Sequence, residues 1–168
     1  DEDSDSKTLS SNNIEKTITA KSLGESELSQ INLYNIEINT ETDIERVDYT
    51  PTVLYNDENH QASLLHRIME KCPHYSIGHV DNSIANIQRT FSFNNLTICN
   101  AFDTIADEIN CLFILDCRID NNGDLVRTVN VYDLESSCQN CGHRWDYISD
   151  SCPECDSTDI LNGYGEDT

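Results

Sequence analysis

Four cysteines near the C-terminal end have the types and spacing to do chemistry. Cys138, Cys141, Cys152 and Cys155 stand in two Cys-x-x-Cys pairs, ten residues apart. Each pair closes a tight turn that aims two thiolates at one point. Two such turns meeting across a short hairpin complete a tetrahedron of sulfurs. Gly142 follows the first pair, where the turn needs a positive φ that costs glycine nothing. Asp156 follows the second pair, and Asp tolerates that region better than most residues. Pro153 lies inside the second pair and pre-sets its φ to about -65°. Trp145 and Tyr147 alternate with Asp146, as a small two-stranded turn requires. The expected occupant is one structural Zn²⁺ per chain, held by all four sulfurs. Iron uses the same sulfur tetrahedron, so zinc against iron stays open at this point. Two disulfides would need an oxidising compartment, of which the chain carries no other sign.

The run C-Q-N-C-G-H-R-W, followed by C-P-E-C, resembles the zinc-ribbon superfamily from Cys138 to about Gly163. It looks like the ribbons of RNA polymerase subunits, transcription factors and many small bacterial and archaeal proteins. It is also similar to the ribbon of the nickel-insertion accessory proteins of hydrogenases. Their essential histidine, beside the initiator Met, has no counterpart at Asp1-Glu2-Asp3. The resemblance implies a zinc-stapled unit that serves protein binding, nucleic-acid binding or stapling alone, so it names a metal and not a task.

Other candidate chemistry is thinner. A catalytic zinc keeps an open position, whereas four cysteines close the site. His143 reads as an exposed side chain beside it. Cys72, His74 and His79 form C-x-H-x₄-H, a candidate second metal site with no partner base in view. Such spacing also arises readily by chance at a helix end and loop. Asp116 interrupts an apolar run, but its side chain is expected to face solvent. The turn Asp120 to Asp124 is shorter than a calcium loop and lacks its closing Glu. No phosphate-cradling glycine motif or nucleophile elbow is present. No catalytic residues emerge.

The chain carries 31 acidic and 10 basic residues, a formal net charge of -21. Residues 1–60 hold 14 acids and 4 bases, residues 61–134 hold 9 and 5, and residues 135–168 hold 8 and 1. The acidity is therefore concentrated at the two ends. Such a field repels phosphate backbones, so autonomous nucleic-acid binding is not expected. It favours a protein partner with a basic surface. The functional expectation is a non-enzymatic interaction or accessory subunit, in the setting of transcription or nucleic-acid processing. One alternative is a nucleic-acid-binding ribbon, resting on Arg144 and Trp145 as one guanidinium and one stacking ring. Another is a metal-handling accessory protein. The irregularly spaced Cys72, Cys99, Cys111 and Cys117, with the metal motif, indicate a reducing compartment, cytoplasmic or nuclear. No apolar run approaches the length of a membrane span, and no signal peptide is visible.

These residues must be positioned by an α+β chain: a small antiparallel sheet, two or three short helices, then the C-terminal zinc ribbon. The expected division is an acidic, largely disordered tail over 1–30, a small α+β domain over 31–134, and the ribbon with an acidic tail over 135–168. Residues 31–38 alternate as a strand, with a phase slip at Tyr34-Asn35. Short strands are expected around Val47, Tyr49 and Val53–Tyr55, and a turn at Asn56–Asn59. Leu64, Leu65, Ile68, Met69 and Cys72 fall on one face of a three-turn helix ended by Pro73. Residues 74–80 make a short strand or loop, and Asp81 or Asn82 caps a helix over 83–89. Residues 90–93 are extended, Leu96 and Ile98 continue them, and a short helix covers 103–109. Cys111–Ile119 and Leu125–Leu134 form an antiparallel hairpin in the centre of the sheet, turned by Asn122-Gly123. Ile160 and Leu161 add a third strand to the ribbon.

Overall fold

Ser22 opens the first helix by accepting a hydrogen bond from the Glu25 amide at 3.1 Å, as N-cap serines do. The computed structural model describes residues 22–147 and 149–165. Most of the expected N-terminal tail, residues 1–21, and the last three residues lie outside the described residues. Helix α1 (Leu23–Leu28) falls within the first thirty residues, which composition alone assigns to the tail. Its Leu28 is fully buried.

The alternating run then splits into β1 (Asn32–Leu33) and β2 (Ile36–Ile38). The slip at Tyr34-Asn35 is a left-handed residue, Asn35, with φ 54°. It sends the two halves to different antiparallel partners, β1 to residues 96–97 and β2 to residues 91–93. After β2, Thr40 and Asp43 form a reciprocal capping box at the start of α2 (Glu41–Ile44).

The strands expected around Val47 and Tyr49 are absent, and at Val53 only a single bridge to Ser63 forms. Between them, Asn39 claims the backbone of Thr52. It sits buried at φ 51°. Its amide donates to the carbonyls of Thr52 at 2.7 Å and Arg89 at 2.8 Å. Its Oδ1 accepts from the Thr52 amide at 2.8 Å and the Tyr49 hydroxyl at 2.5 Å. One side chain thus satisfies backbone groups that a strand ladder would have paired.

The turn expected at Asn56–Asn59 is present. Asn56 Oδ1 accepts from the amides of Glu58 at 3.0 Å and Asn59 at 2.9 Å. A single 3₁₀ turn follows (His60–Ala62), then α3 (Leu64–Met69). Leu64, Leu65, Ile68, Met69 and Cys72 are all buried, as their spacing required. Each fully buried Leu or Ile contributes about 1.5–3 kcal/mol. The helix is shorter than expected and ends four residues before Pro73. Strand β3 (Ser76–Val80) and the one-turn α4 (Asn82–Ala85) come next. Asp81 occupies the N-cap of α4, but its carboxylate accepts from the Asp133 amide instead, at 2.7 Å. This helps to confine the helix expected over 83–89 to its first turn.

After β4 (Phe91–Phe93) and β5 (Leu96–Thr97), helix α5 runs from Ile98 to Ile109. Ile98 and Phe102 therefore belong to a helix and not to an extension of the strand. The Thr97 hydroxyl caps it by accepting from the Asn100 amide at 3.3 Å. Ile98, Ala101, Phe102, Ile105 and Ile109 form its buried face, and Asn110 ends it at φ 59°.

The expected hairpin is β6 (Cys111–Ile119) with β7 (Leu125–Asp133), paired from Cys111 with Asp133 to Ile119 with Leu125. β3 joins β7 on the other side and runs parallel to it. The sheet is therefore mixed, in the order β3-β7-β6, with β7 central and Val129 and Val131 fully buried. Phe113 of β6 stacks on Phe102 of α5 at 4.3 Å. Gly24 of α1 lies so close to Leu115 that an added Cβ would sit 2.8 Å from the Leu115 Cβ. Among the described residues, then, a small α+β body has several short helices around a few small sheets.

Charge ties α1 to the sheet. Arg127 of β7 donates from Nε and Nη2 to the two Glu27 carboxylate oxygens, each at 2.8 Å. The Tyr75 hydroxyl adds a third bond at 2.8 Å. Arg127 foremost, then Tyr75, lowers the Glu27 carboxyl to about 2, from 4.5. A depressed carboxyl stabilises the fold above its unfolded value and ceases to do so as pH falls through the folded one. Wild type should therefore exceed Glu27→Gln in unfolding free energy, measured by urea denaturation at pH 7, by about 2 kcal/mol. That difference should shrink between pH 4.5 and about 2. A difference that stays constant down to the lower pH would rule out the ion pair as its source.

Candidate metal centre

The last fifth of the chain builds a separate three-stranded sheet. β8 (Ser136–Cys138) lies between β9 (Arg144–Trp145) and β10 (Ile160–Leu161), both antiparallel to it. The third strand expected at Ile160 and Leu161 is therefore present.

Two turns of the same design project from this sheet. In the first, the Gly142 amide donates to the Cys138 carbonyl and the Cys138 amide to the His143 carbonyl, both at 2.9 Å. In the second, the Asp156 amide donates to the Cys152 carbonyl at 2.9 Å and the Cys152 amide to the Ser157 carbonyl at 2.8 Å. Gly142 has φ 75° and Asp156 φ 55°, at equivalent positions after each pair. The two residues expected to take the left-handed region do so, and each lets its turn close.

The sulfurs converge. Cys138 Sγ lies 3.6 Å from Cys155 Sγ, and Cys141 Sγ lies 3.6 Å from Cys152 Sγ. All four ligand atoms are within 4.8 Å of one another. Zinc with sulfurs at about 2.3 Å in a tetrahedron places neighbouring sulfurs about 3.8 Å apart. The residues present thus fit one ion with four thiolates, and all four are free cysteines. Cys138 and Cys152 face inward with Trp145 in a small core, while Cys141 and Cys155 are exposed.

Polar groups favour the thiolate at Cys138 but not at Cys141. Burial alone raises the Cys138 thiol, but the amides of Cys141 and Asn140 and the neighbouring thiols outweigh it and hold it at about 6. At Cys141 the His143 amide acts in the same lowering sense, yet Cys155, burial, Cys152 and Cys138 together push the thiol up to about 12. Gathering four sulfurs makes successive ionisation harder, and a divalent cation at their centre removes that resistance. The Glu154 amide donates to Cys152 Sγ at 3.4 Å, and the Asn140 side chain to Cys155 Sγ at 3.6 Å.

Arg144 joins this unit to the body. Its Nε donates to Asp133 Oδ2 at 2.9 Å, and its Nη2 to Asp133 Oδ1 at 2.6 Å and to the Ile109 carbonyl at 3.1 Å. Ser83 donates to the same carboxylate at 2.6 Å, and the Glu135 amide does so at 2.9 Å. Asp133 is only 4% exposed. Further along, buried Gly163 packs so tightly on the Leu134 carbonyl that a Cβ has no room. This arrangement weighs against Arg144 and Trp145 as a base-binding pair. Arg144 commits Nε and Nη2 to its fork with a side chain only 17% exposed, and Trp145 is 5% exposed.

The remaining candidates fall differently. Cys72, His74 and His79 are not among the convergent ligand groups of the described residues. Cys72 is buried, His74 leans on Tyr75, and the His79 ring bonds Asp81 at 2.6 Å. Burial raises the Cys72 thiol, and it pushes the Cys111 thiol up to about 12, so both act as core side chains. His143, half-buried, stacks on Trp145 at 5.9 Å and is no ligand. Asp116 pairs with Arg118 at 3.2 Å on an exposed surface, as its phase in the strand required. A second convergent group does exist, Asp57, His60 and His66. No compact motif joins these three residues, so spacing along the chain does not single them out. Their one signal is two histidines flanking the Ser63 cap after an Asn-rich turn. Compared with protein-family models, with curated proteins and with solved structures, the chain matches none of them.

Proposed function

We propose that Cys138, Cys141, Cys152 and Cys155 hold one structural Zn²⁺ in a zinc-ribbon unit. In this reading the chain is a non-enzymatic accessory subunit whose acidic face binds a basic protein surface. The convergence of four sulfurs within 4.8 Å of one another supports the first part. Zinc, when bound there, supplies a cross-link between the two turns, with no coordination position left for substrate. One observation carries the second part: Arg144, the only base of residues 135–168, is turned inward onto Asp133. The outer surface of the unit is left to exposed Asp146, Asp150, Glu154, Asp156 and Asp159. Tyr147, Leu161 and Tyr164, each about half exposed, supply apolar area on the same unit. Acidic fields of this kind steer basic partners and repel phosphate. Assemblies of transcription and nucleic-acid processing, in the cytoplasm or nucleus, offer such basic protein surfaces. No described helix is long and apolar enough to cross a membrane.

The test is binding of Lys/Arg-rich peptides, with charge-neutral peptides of the same length as controls. Affinity for the basic peptides should fall at least tenfold between about 0.05 M and about 0.5 M salt, as screening requires. It should fall similarly at low salt in the variant Asp150→Asn/Glu154→Gln/Asp159→Asn. Equal binding of neutral peptides, or indifference to both salt and the triple variant, would reject the reading.

A further inference from the structure

Outside the four-cysteine cluster, two imidazoles and a carboxylate line a cleft of about 290 Å³. His60 comes from the 3₁₀ turn and His66 from α3, and Asp57 lies in the turn held by Asn56. Ligand atoms of all three lie within 4.8 Å of one another. The His60 and His66 rings stack at 3.6 Å with 10° between their planes. Tyr55 stacks on His66 as well, at 5.3 Å.

We propose that Asp57, His60 and His66 form a second metal site, for a late first-row divalent cation such as Zn²⁺. The donor set selects against Mg²⁺ and Ca²⁺, which take oxygen ligands, and suits Zn²⁺, Co²⁺, Ni²⁺ or Cu²⁺. The groups behind the ligands have the roles outer-shell partners take in metal sites. His66 Nδ1 bonds Ser63 Oγ at 2.9 Å, which fixes the ring and leaves Nε2 for the ion. The Tyr55 hydroxyl donates to Asp57 Oδ1 at 3.2 Å, leaving Oδ2. Glu70 also lines the cleft and adds negative charge.

An ion at about 2.0–2.1 Å from both ring nitrogens must lie near the plane of each ring. Binding therefore opens the parallel stack into a wedge. His60 is exposed on a single turn and is free to tilt, whereas His66 is held by Ser63 and Tyr55. Three protein ligands leave a further position for water or for a group offered by a partner. This distinguishes the site from the closed cysteine tetrahedron, and the proposal does not depend on how that tetrahedron is filled.

The test uses the full chain, loaded with one Zn²⁺ and titrated with more Zn²⁺. Native mass spectrometry counts the ions, and side-chain ¹H–¹⁵N spectra follow the five imidazoles. A second equivalent should bind, moving His60 and His66 while leaving His74, His79 and His143 in place. His60→Ala and Asp57→Asn should each weaken it at least about tenfold. Both residues are exposed, so the folded body and the first zinc should survive these changes. Uptake of one equivalent only, up to about millimolar Zn²⁺, would overturn the proposal. So would a second equivalent unaffected by either variant, which would assign it to the acidic surface at large.

Discussion

Cys152→Ser is expected to release the zinc and to unfold residues 136–161, while the body from α1 to β7 keeps its fold. The small core around the cysteines consists of Cys138, Trp145 and Cys152, with Ile160 packed on it. Burying one Trp and part of one Ile supplies only a few kcal/mol, at about 25 cal/mol per Å². Structural zinc contributes an apparent 10–16 kcal/mol or so in comparable four-ligand units. A zinc held by the four sulfurs would thus outweigh apolar burial by a wide margin. The chain has one tryptophan, Trp145, so its fluorescence reports on this unit alone. The emission should shift to that of a solvated indole, native mass spectrometry should show loss of one zinc, and amides of β6 and β7 should keep their dispersion. Unchanged zinc content and unchanged emission would sink the four-cysteine assignment.

The second large effect is expected at Arg144. Arg144→Ala removes both nitrogens that face the Asp133 carboxylate, leaving it with Ser83 and the Glu135 amide. A carboxylate that is 4% exposed cannot turn to water for compensation. Breaking a buried pair from one side costs about 3–5 kcal/mol. Urea denaturation should show that loss, and zinc should stay bound, because Arg144 does not touch the sulfurs. The double variant Asp133→Ala/Arg144→Ala should lose less than the two single losses added together, since neither charge is then left alone. A single-variant loss below about 1 kcal/mol would mean the fork is solvated like a surface pair.

The parts legible in the sequence were those written in local spacing. The two cysteine turns, the β6–β7 hairpin and the buried face of α3 each follow from residues a few positions apart. What escaped depended on partners distant in the chain or on a single side chain. α5 begins at Ile98 because Thr97 caps it, although the apolar pattern there reads equally well as strand. Asn39 ties its side chain to the backbone of residues 13 and 50 positions away, in a segment expected to pair as strand. The mixed sheet depends on a parallel crossover from β3 to β7, which hairpin patterning does not reveal. For the metal sites the same rule held in both directions. Cys72, His74 and His79 are close in sequence and do not converge, whereas Asp57, His60 and His66 lack a motif and do.

The left-handed residues bear on the chain before it folds. Asn35, Asn39, Asn95, Asn110 and Asp156 take positive φ, against Gly123, Gly142 and Gly165 among the described residues. Glycine would adopt those angles with less strain, but it would also widen the denatured ensemble at each position. By placing asparagine there, the chain begins from fewer conformations and has less entropy to lose on collapse. Asn→Gly at position 35 or 95 therefore changes both ends of the folding equilibrium, relieving the native backbone while loosening the unfolded chain.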